Sequence, residues 1–285
     1  MNYFHNIIGL PNSGKTTFLA ALWHLIDAGE IESDLKLDRL VGDNRYLNEI
    51  VEYWRRCEKV PRTSQQSENK LIIHLSQTKI DRKITLGFSD LSGEAFDSQV
   101  IRRNCRKSYI ENFEKEGGIL LFLTADKIED GLSSIDFPEL LSSDETGENE
   151  SANWTPGLIP QDVKLVELLQ FLQKKPFKHN SRRVAIIVSA WDVIPSQIEP
   201  VKWLEREFPL LFQYLQSNRD YFNFSVYGIS AQGGQISNTT NERTKELRDK
   251  LLIQMPIPSK RIICIGPNYR GNDITKPICW LTENE

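Results

Sequence analysis

The sequence predicts an α/β fold, a three-layer sandwich whose mostly parallel sheet contains one antiparallel strand. Short apolar runs recur along the chain, helical patterns separate most of them, and one connection is too short to hold a helix. The expected strands are Tyr3–Ile8, Leu71–Leu75, Ile84–Phe88, Ile119–Leu123, Val184–Val188, Phe224–Ile229 and Ile262–Ile265. A helix over Thr17–Ala28 follows the first, with Gly29 as its C-cap. A second is marked by Leu47, Ile50, Val51 and Trp54, an i, i+3, i+4, i+7 stripe. Further helices are expected over Phe96–Phe113, Val163–Gln173, Val201–Ser217 and Glu242–Gln254. Only SQTKIDRK joins the second and third strands, so those two should pair as an antiparallel hairpin.

The chain has 285 residues, 26% charged and 39% hydrophobic, which suits a single domain over 1–285. The polar, acidic stretch SSDETGENESANWTPG, residues 142–157, reads as a loop inserted between the fourth strand and its helix. A net charge of -4 gives no nucleic-acid or anionic-membrane signal. No signal-peptide pattern opens the sequence and no apolar run approaches the roughly 18 residues of a membrane span, so a cytoplasmic protein is expected. Cys57, Cys105, Cys264 and Cys279 are scattered without C-x-x-C spacing and read as buried or partly buried thiols.

Residues 9–16, GLPNSGKT, satisfy G-x-x-x-x-G-K-[ST] between a strand and a helix. Glycines let such a loop curl until backbone N–H groups converge on an anion, and the helix N-terminus adds partial positive charge. The phosphate-binding set is therefore Gly9, Asn12, Ser13, Gly14, Lys15, Thr16 and Thr17. Lys15 would reach the β- and γ-phosphate oxygens and Thr16 would coordinate Mg²⁺. The fold class becomes that of a P-loop NTPase.

The strand ITLGFSD ends in Asp90, and DLSGE fits D-x-x-G. Asp90 can hold Mg²⁺ through water, and the Gly93 N–H can approach a γ-phosphate because no side chain intervenes.

With these motifs the chain resembles the P-loop GTPases, particularly the translation-factor and Ras-like branch with its antiparallel second strand. Two later segments extend the resemblance. VAIIVSAWD ends where that family carries N-K-x-D, so Asp192 matches the carboxylate that accepts from guanine N1 and N2. SAQ, residues 230–232, matches the loop whose backbone meets guanine O6, through Ser230 and Ala231. Ser189 and Ala190 depart from the pattern: the lysine stem that packs over the base is missing, and Trp191 could supply a stacking face instead. The alternative is a strand end with an N-capping Asp. The layout and the ending ITKPICWL are most similar to the double-GTPase domains of bacterial conflict systems.

The resemblance implies a threonine that senses the γ-phosphate. Thr63, in KVPRTSQQSE before the second strand, takes that place as a Mg²⁺ ligand. Arg62 could act as an arginine finger or be solvated. Glu94 stands where Ras-like enzymes orient the attacking water, and could accept its proton or be only a first-turn acid of the next helix. The basic run IRRNCRK, residues 101–107, reads as a solvated helix face, and Trp280 as an anchor for the tail.

The expected function is a Mg²⁺-dependent GTP-binding and GTP-hydrolysing switch, with Lys15, Glu94 and Thr63 as its catalytic residues and a protein partner, which could be a second GTPase, reading its state. The resemblance places it in a bacterial conflict or defence system. GTP is favoured over ATP because the SAWD and SAQ loops lie where a base site would be. The alternatives are a pseudo-GTPase binding module and a P-loop ATPase or small-molecule kinase.

Overall fold

The computed structural model describes residues 2–41, 44–61, 71–77, 82–88, 93–126, 158–234 and 242–283. In chain order its elements are β1 (Asn2–Gly9), α1 (Lys15–Ala28), β2 (Leu35–Val41), α2 (Asn44–Arg55), β3 (Leu71–Gln77), β4 (Arg82–Phe88), α3 (Glu94–Arg102), α4 (Lys107–Phe113), β5 (Ile119–Thr124), α5 (Gln161–Leu172), β6 (Arg182–Ser189), α6 (Pro200–Glu207), α7 (Pro209–Ser217), β7 (Phe222–Ser230), α8 (Glu242–Gln254), β8 (Ile263–Gly266), β9 (Tyr269–Gly271) and α9 (Lys276–Trp280). The expected insertion at 142–157 lies outside the described residues.

The described strands form a nine-stranded sheet of order β2-β3-β4-β1-β5-β6-β7-β8-β9. Its centre is parallel: β1 pairs with β4 and β5, β6 pairs with β5 and β7. The expected hairpin is present, with β3 antiparallel to β4 from Leu71↔Phe88 to Gln77↔Arg82. Both sheet margins depart from expectation. β2 adds an edge strand to β3, and its LKLDRLV alternation was a readable strand signal. At the other margin β8 runs antiparallel to β7 and to β9.

Central strands covered on both faces alternate between two cores. Ile7, Leu120, Phe122, Ala185 and Ile187 join one core with residues of α1, α2 and α9. Ile8, Leu121, Leu123, Val184, Ile186 and Val188 join the other with residues of α3 through α7. Full burial of such a Leu or Ile contributes about 1.5–3 kcal/mol, so the two apolar faces fix the register from which the strand ends project.

Helices expected as single pieces are broken. Pro209 cannot continue α6, because its ring excludes a helical neighbour and it has no N–H to donate; Phe208 turns to φ −130° and α7 begins at the proline. The 96–113 helix stops at Arg103, which adopts φ 57° and gives its N–H to Gln99 O. IRRNCRK is therefore not one solvated helix face: it spans this break, and Arg103 pairs with Glu167 of α5 and lies over Phe171. Trp280 carries the tail against β6, with the Arg183 guanidinium over its ring and Arg183 Nη1 donating to its carbonyl at 2.6 Å.

Candidate functional site

Because β1, β4, β5, β6 and β7 run the same way, their C-terminal ends share one edge of the sheet, where α/β folds bind ligands. Gly9, the loop after it, Ser189 and Ser230 all emerge there.

Gly14 opens α1 in the left-handed region, φ 87°, and Asn12 is also left-handed at φ 61°. A Cβ on Gly14 would stand 2.6 Å from both Cβ and Oγ of Ser189. The phosphate loop thus rests directly on the position where the GTPase pattern has asparagine, and a small residue on each side permits that approach. Lys15 is buried, and its ammonium donates to Gly9 O at 2.8 Å, Leu10 O at 2.8 Å and Ser13 Oγ at 3.1 Å. These acceptors hold a cation over the loop that would otherwise be costly to bury. Thr16 and Thr17 follow in the first turn of α1, and Phe18 N donates to Gly14 O at 2.9 Å.

Gly93 caps α3 at φ 86°, and a Cβ there would lie 2.6 Å from Leu10 C and Pro11 N. The last residue of D-x-x-G therefore packs backbone to backbone on the phosphate loop, an approach closed to other residues. Glu94 follows it, exposed, in the first turn of α3 with Asp97. Asp97 pairs with Lys164 of α5 at 2.8 Å, a contact the sequence did not signal. Asp90, Arg62 and Thr63 lie outside the described residues.

At the other end of the edge, Asp192 accepts a hydrogen bond from Ser230 Oγ, and Gly233 N donates to the same oxygen at 3.0 Å. Ala190 is left-handed at φ 54°, which turns the chain sharply out of β6. The suggestion that Trp191 offers a stacking face is overturned. Its side chain is buried, its indole packs on Gly228 of β7 and edge-on to Trp203, and it belongs to the core.

Ala231 and Gln232 bring in a partner that the sequence reading left in the core of α2. Trp54 Nε1 donates to Ala231 O at 2.8 Å, and Gln232 Nε2 donates to Trp54 O at 2.8 Å. Behind it the His24 ring meets Trp54 at 5.0 Å between centroids, and His24 Nε2 lies 3.2 Å from Glu30 Oε2. Burial holds His24 below its usual pKa even though Glu30 pulls the other way.

Residues 6–281 match the family described as Double-GTPase 1. The chain belongs to that family. No curated protein matches it by sequence. Among solved structures, this Double-GTPase 1 chain is similar to the Ski7 GTPase-like domain of S. cerevisiae bound to GTP, at 15% identity and a TM-score of 0.44, covering 85% of this chain and 45% of that one. It is similar also to a bacterial selenocysteine-specific elongation factor, at 12% and 0.37, covering 91% and 30%. A third is the Arl6 BBS3 small GTPase of Trypanosoma brucei, at 7% and 0.38, covering 89% and 99%. The chain thus spans less than half the length of the first two.

Among the described residues no group of three or more His, Cys, Asp and Glu side chains could hold a metal, and no helix is long and apolar enough to cross a membrane. Cys57, Cys264 and Cys279 are buried and free, and Cys105 is partly buried. Burial pushes the Cys279 thiol up to about 12, which keeps it a protonated packing group.

Proposed function

We propose that this Double-GTPase 1 chain is a cytoplasmic, single-domain, Mg²⁺-dependent switch that binds and hydrolyses GTP and is read by a protein partner, which could be a second GTPase, within a bacterial conflict system. The observation that carries the reading is the convergence on one sheet edge of the Gly9–Lys15 loop, the Gly93 backbone against it, and the Asp192–Ser230 pair.

The loop suits a polyphosphate. Its ammonium already sits over the loop on weak neutral acceptors, Gly9 O, Leu10 O and Ser13 Oγ, which phosphate oxygens can replace with charge-assisted bonds. The first N–H groups of α1 point the same way. Gly93 N–H would meet the γ-phosphate beside Leu10 and Pro11. Asp192, oriented by Ser230, would accept from guanine N1–H and N2–H, and the Ala231 N–H would donate to O6; adenine offers neither match.

Thr16, Thr63 and Asp90 would hold Mg²⁺, with Thr16 the one that falls on a described element. Bound there, Mg²⁺ would neutralise charge on the β- and γ-phosphate oxygens. Glu94, exposed at the start of α3, would turn toward the attacking water and take its proton, while Lys15 stabilises charge on the transferring group. Loss of the γ-phosphate would release the Thr63 segment and α3, which a partner senses.

The exposed position of Glu94 also supports a second reading, nucleotide binding with little turnover. Phosphate release separates the two. Wild-type protein should release phosphate from GTP above the Lys15→Ala background; release equal to that background would leave only the binding module.

A further inference from the structure

The geometry assigns Trp54 and Gln232 as positioning residues for the base-recognition loop, an inference that rests on the guanine reading above. The loop is held residue by residue. Ser230 Oγ binds the Asp192 carboxylate and receives Gly233 N, the Ala231 carbonyl receives the Trp54 indole N–H, and the Gln232 side chain returns a bond to the Trp54 carbonyl. Gly233, at φ 82°, lies against the Arg261 backbone, where a Cβ would be 2.5 Å from Arg261 O. Arg261 in turn donates to Arg55 O at 2.9 Å, next to Trp54.

This arrangement brackets one peptide. The amide that would donate to guanine O6 joins Ser230 to Ala231. It is fixed on one side by the Ser230 side chain and on the other by the Ala231 carbonyl in the grip of Trp54. An amide so held cannot turn away from a ligand. Guanine presents an acceptor at position 6 and adenine a donor, so a fixed N–H rewards one and clashes with the other, whereas a loose loop would tolerate both. Trp54 is fully buried and ordered by the His24 ring, so the reference point is rigid. Neither residue touches the base; each acts through Ala231.

The test measures equilibrium binding of a fluorescent GTP analogue in competition with unlabelled GTP and ATP, for the full chain with Mg²⁺. Trp54→Phe keeps an aromatic ring and deletes the indole N–H; Gln232→Leu keeps the side-chain size and deletes the return bond. Each should lower the GTP-to-ATP affinity ratio about tenfold, an effect that a general loss of stability would not produce because it weakens both nucleotides together. A wild-type preference for GTP that survives in both folded variants overturns this inference alone. Equal wild-type affinity for the two nucleotides overturns the guanine reading and this inference with it.

Discussion

In the phosphate loop the key cation is anchored close in sequence: Lys15 bonds to Gly9, Leu10 and Ser13, no more than 6 residues away. On the proposed base side the anchors come from far along the chain. Asp192 and Ser230 are 38 residues apart, Trp54 and Ala231 are 177 apart, and the return bond from Gln232 spans 178. Lys15 and these acceptors all come from one strand, one turn and one helix. The proposed base end is complete only once β6, β7 and α2 have come together. The two ends should therefore fail differently: damage to the first removes affinity for any triphosphate, and damage to the second removes the choice between triphosphates.

Lys15→Ala is the most severe break. It deletes the buried cation assigned to the phosphates, and titration should show GTP and ATP binding both reduced at least a hundredfold, roughly 3 kcal/mol or more from lost charge-assisted bonds. Asp192→Asn should be nearly as large but selective. Replacing an acceptor by a carboxamide loses bonds worth about 1.5–3 kcal/mol, so GTP affinity should fall roughly a hundredfold while xanthosine triphosphate improves and ATP stays as it was. An unchanged preference would remove Asp192 from the base site. Gly14→Ala comes next, at about 2 kcal/mol, because the alanine must adopt φ 87° and its Cβ would press 2.6 Å from Ser189. Both nucleotides should weaken together, roughly thirtyfold.

The smallest effect touches neither end. His5 of β1 is fully buried, its Nδ1 accepts from Gly118 N at 2.9 Å, and burial lowers its pKa to about 3. In the unfolded chain the ring titrates near 6.5. The unfolded state therefore binds the proton first, and the His5 contribution is complete above 6.5 and lost progressively as pH falls toward 3. Urea unfolding should show about 1 kcal/mol less stability at pH 5.5 than at 6.5 from this group. His5→Asn, which can still accept from Gly118, should flatten that slope without altering the GTP-to-ATP ratio.

The same contrast explains what could be read from sequence. The phosphate loop is a local pattern between a strand and a helix, so Gly9 through Lys15 could be placed from neighbours alone, as could the β3–β4 hairpin with its short connection. Pro209 announced the α6–α7 break and the LKLDRLV alternation announced β2, but a chain read for longer helices and longer apolar runs passes over both. Trp54 fits the apolar stripe of α2 and is indeed buried; nothing in a one-dimensional pattern marks which of its edges carries the bond to Ala231. Trp191 misled for the same reason, since an aromatic beside a motif looks available until Gly228 and Trp203 are seen to enclose it.

The most direct test of a guanine-reading edge on this Double-GTPase 1 chain is equilibrium binding of labelled GTP and labelled ATP with Mg²⁺, each competed by the other unlabelled nucleotide. A preference for GTP of at least tenfold is expected if Asp192, Ser230 and Ala231 read the base. Equal binding, or a preference for ATP, would contradict it and leave a phosphate loop that serves an ATPase or a small-molecule kinase.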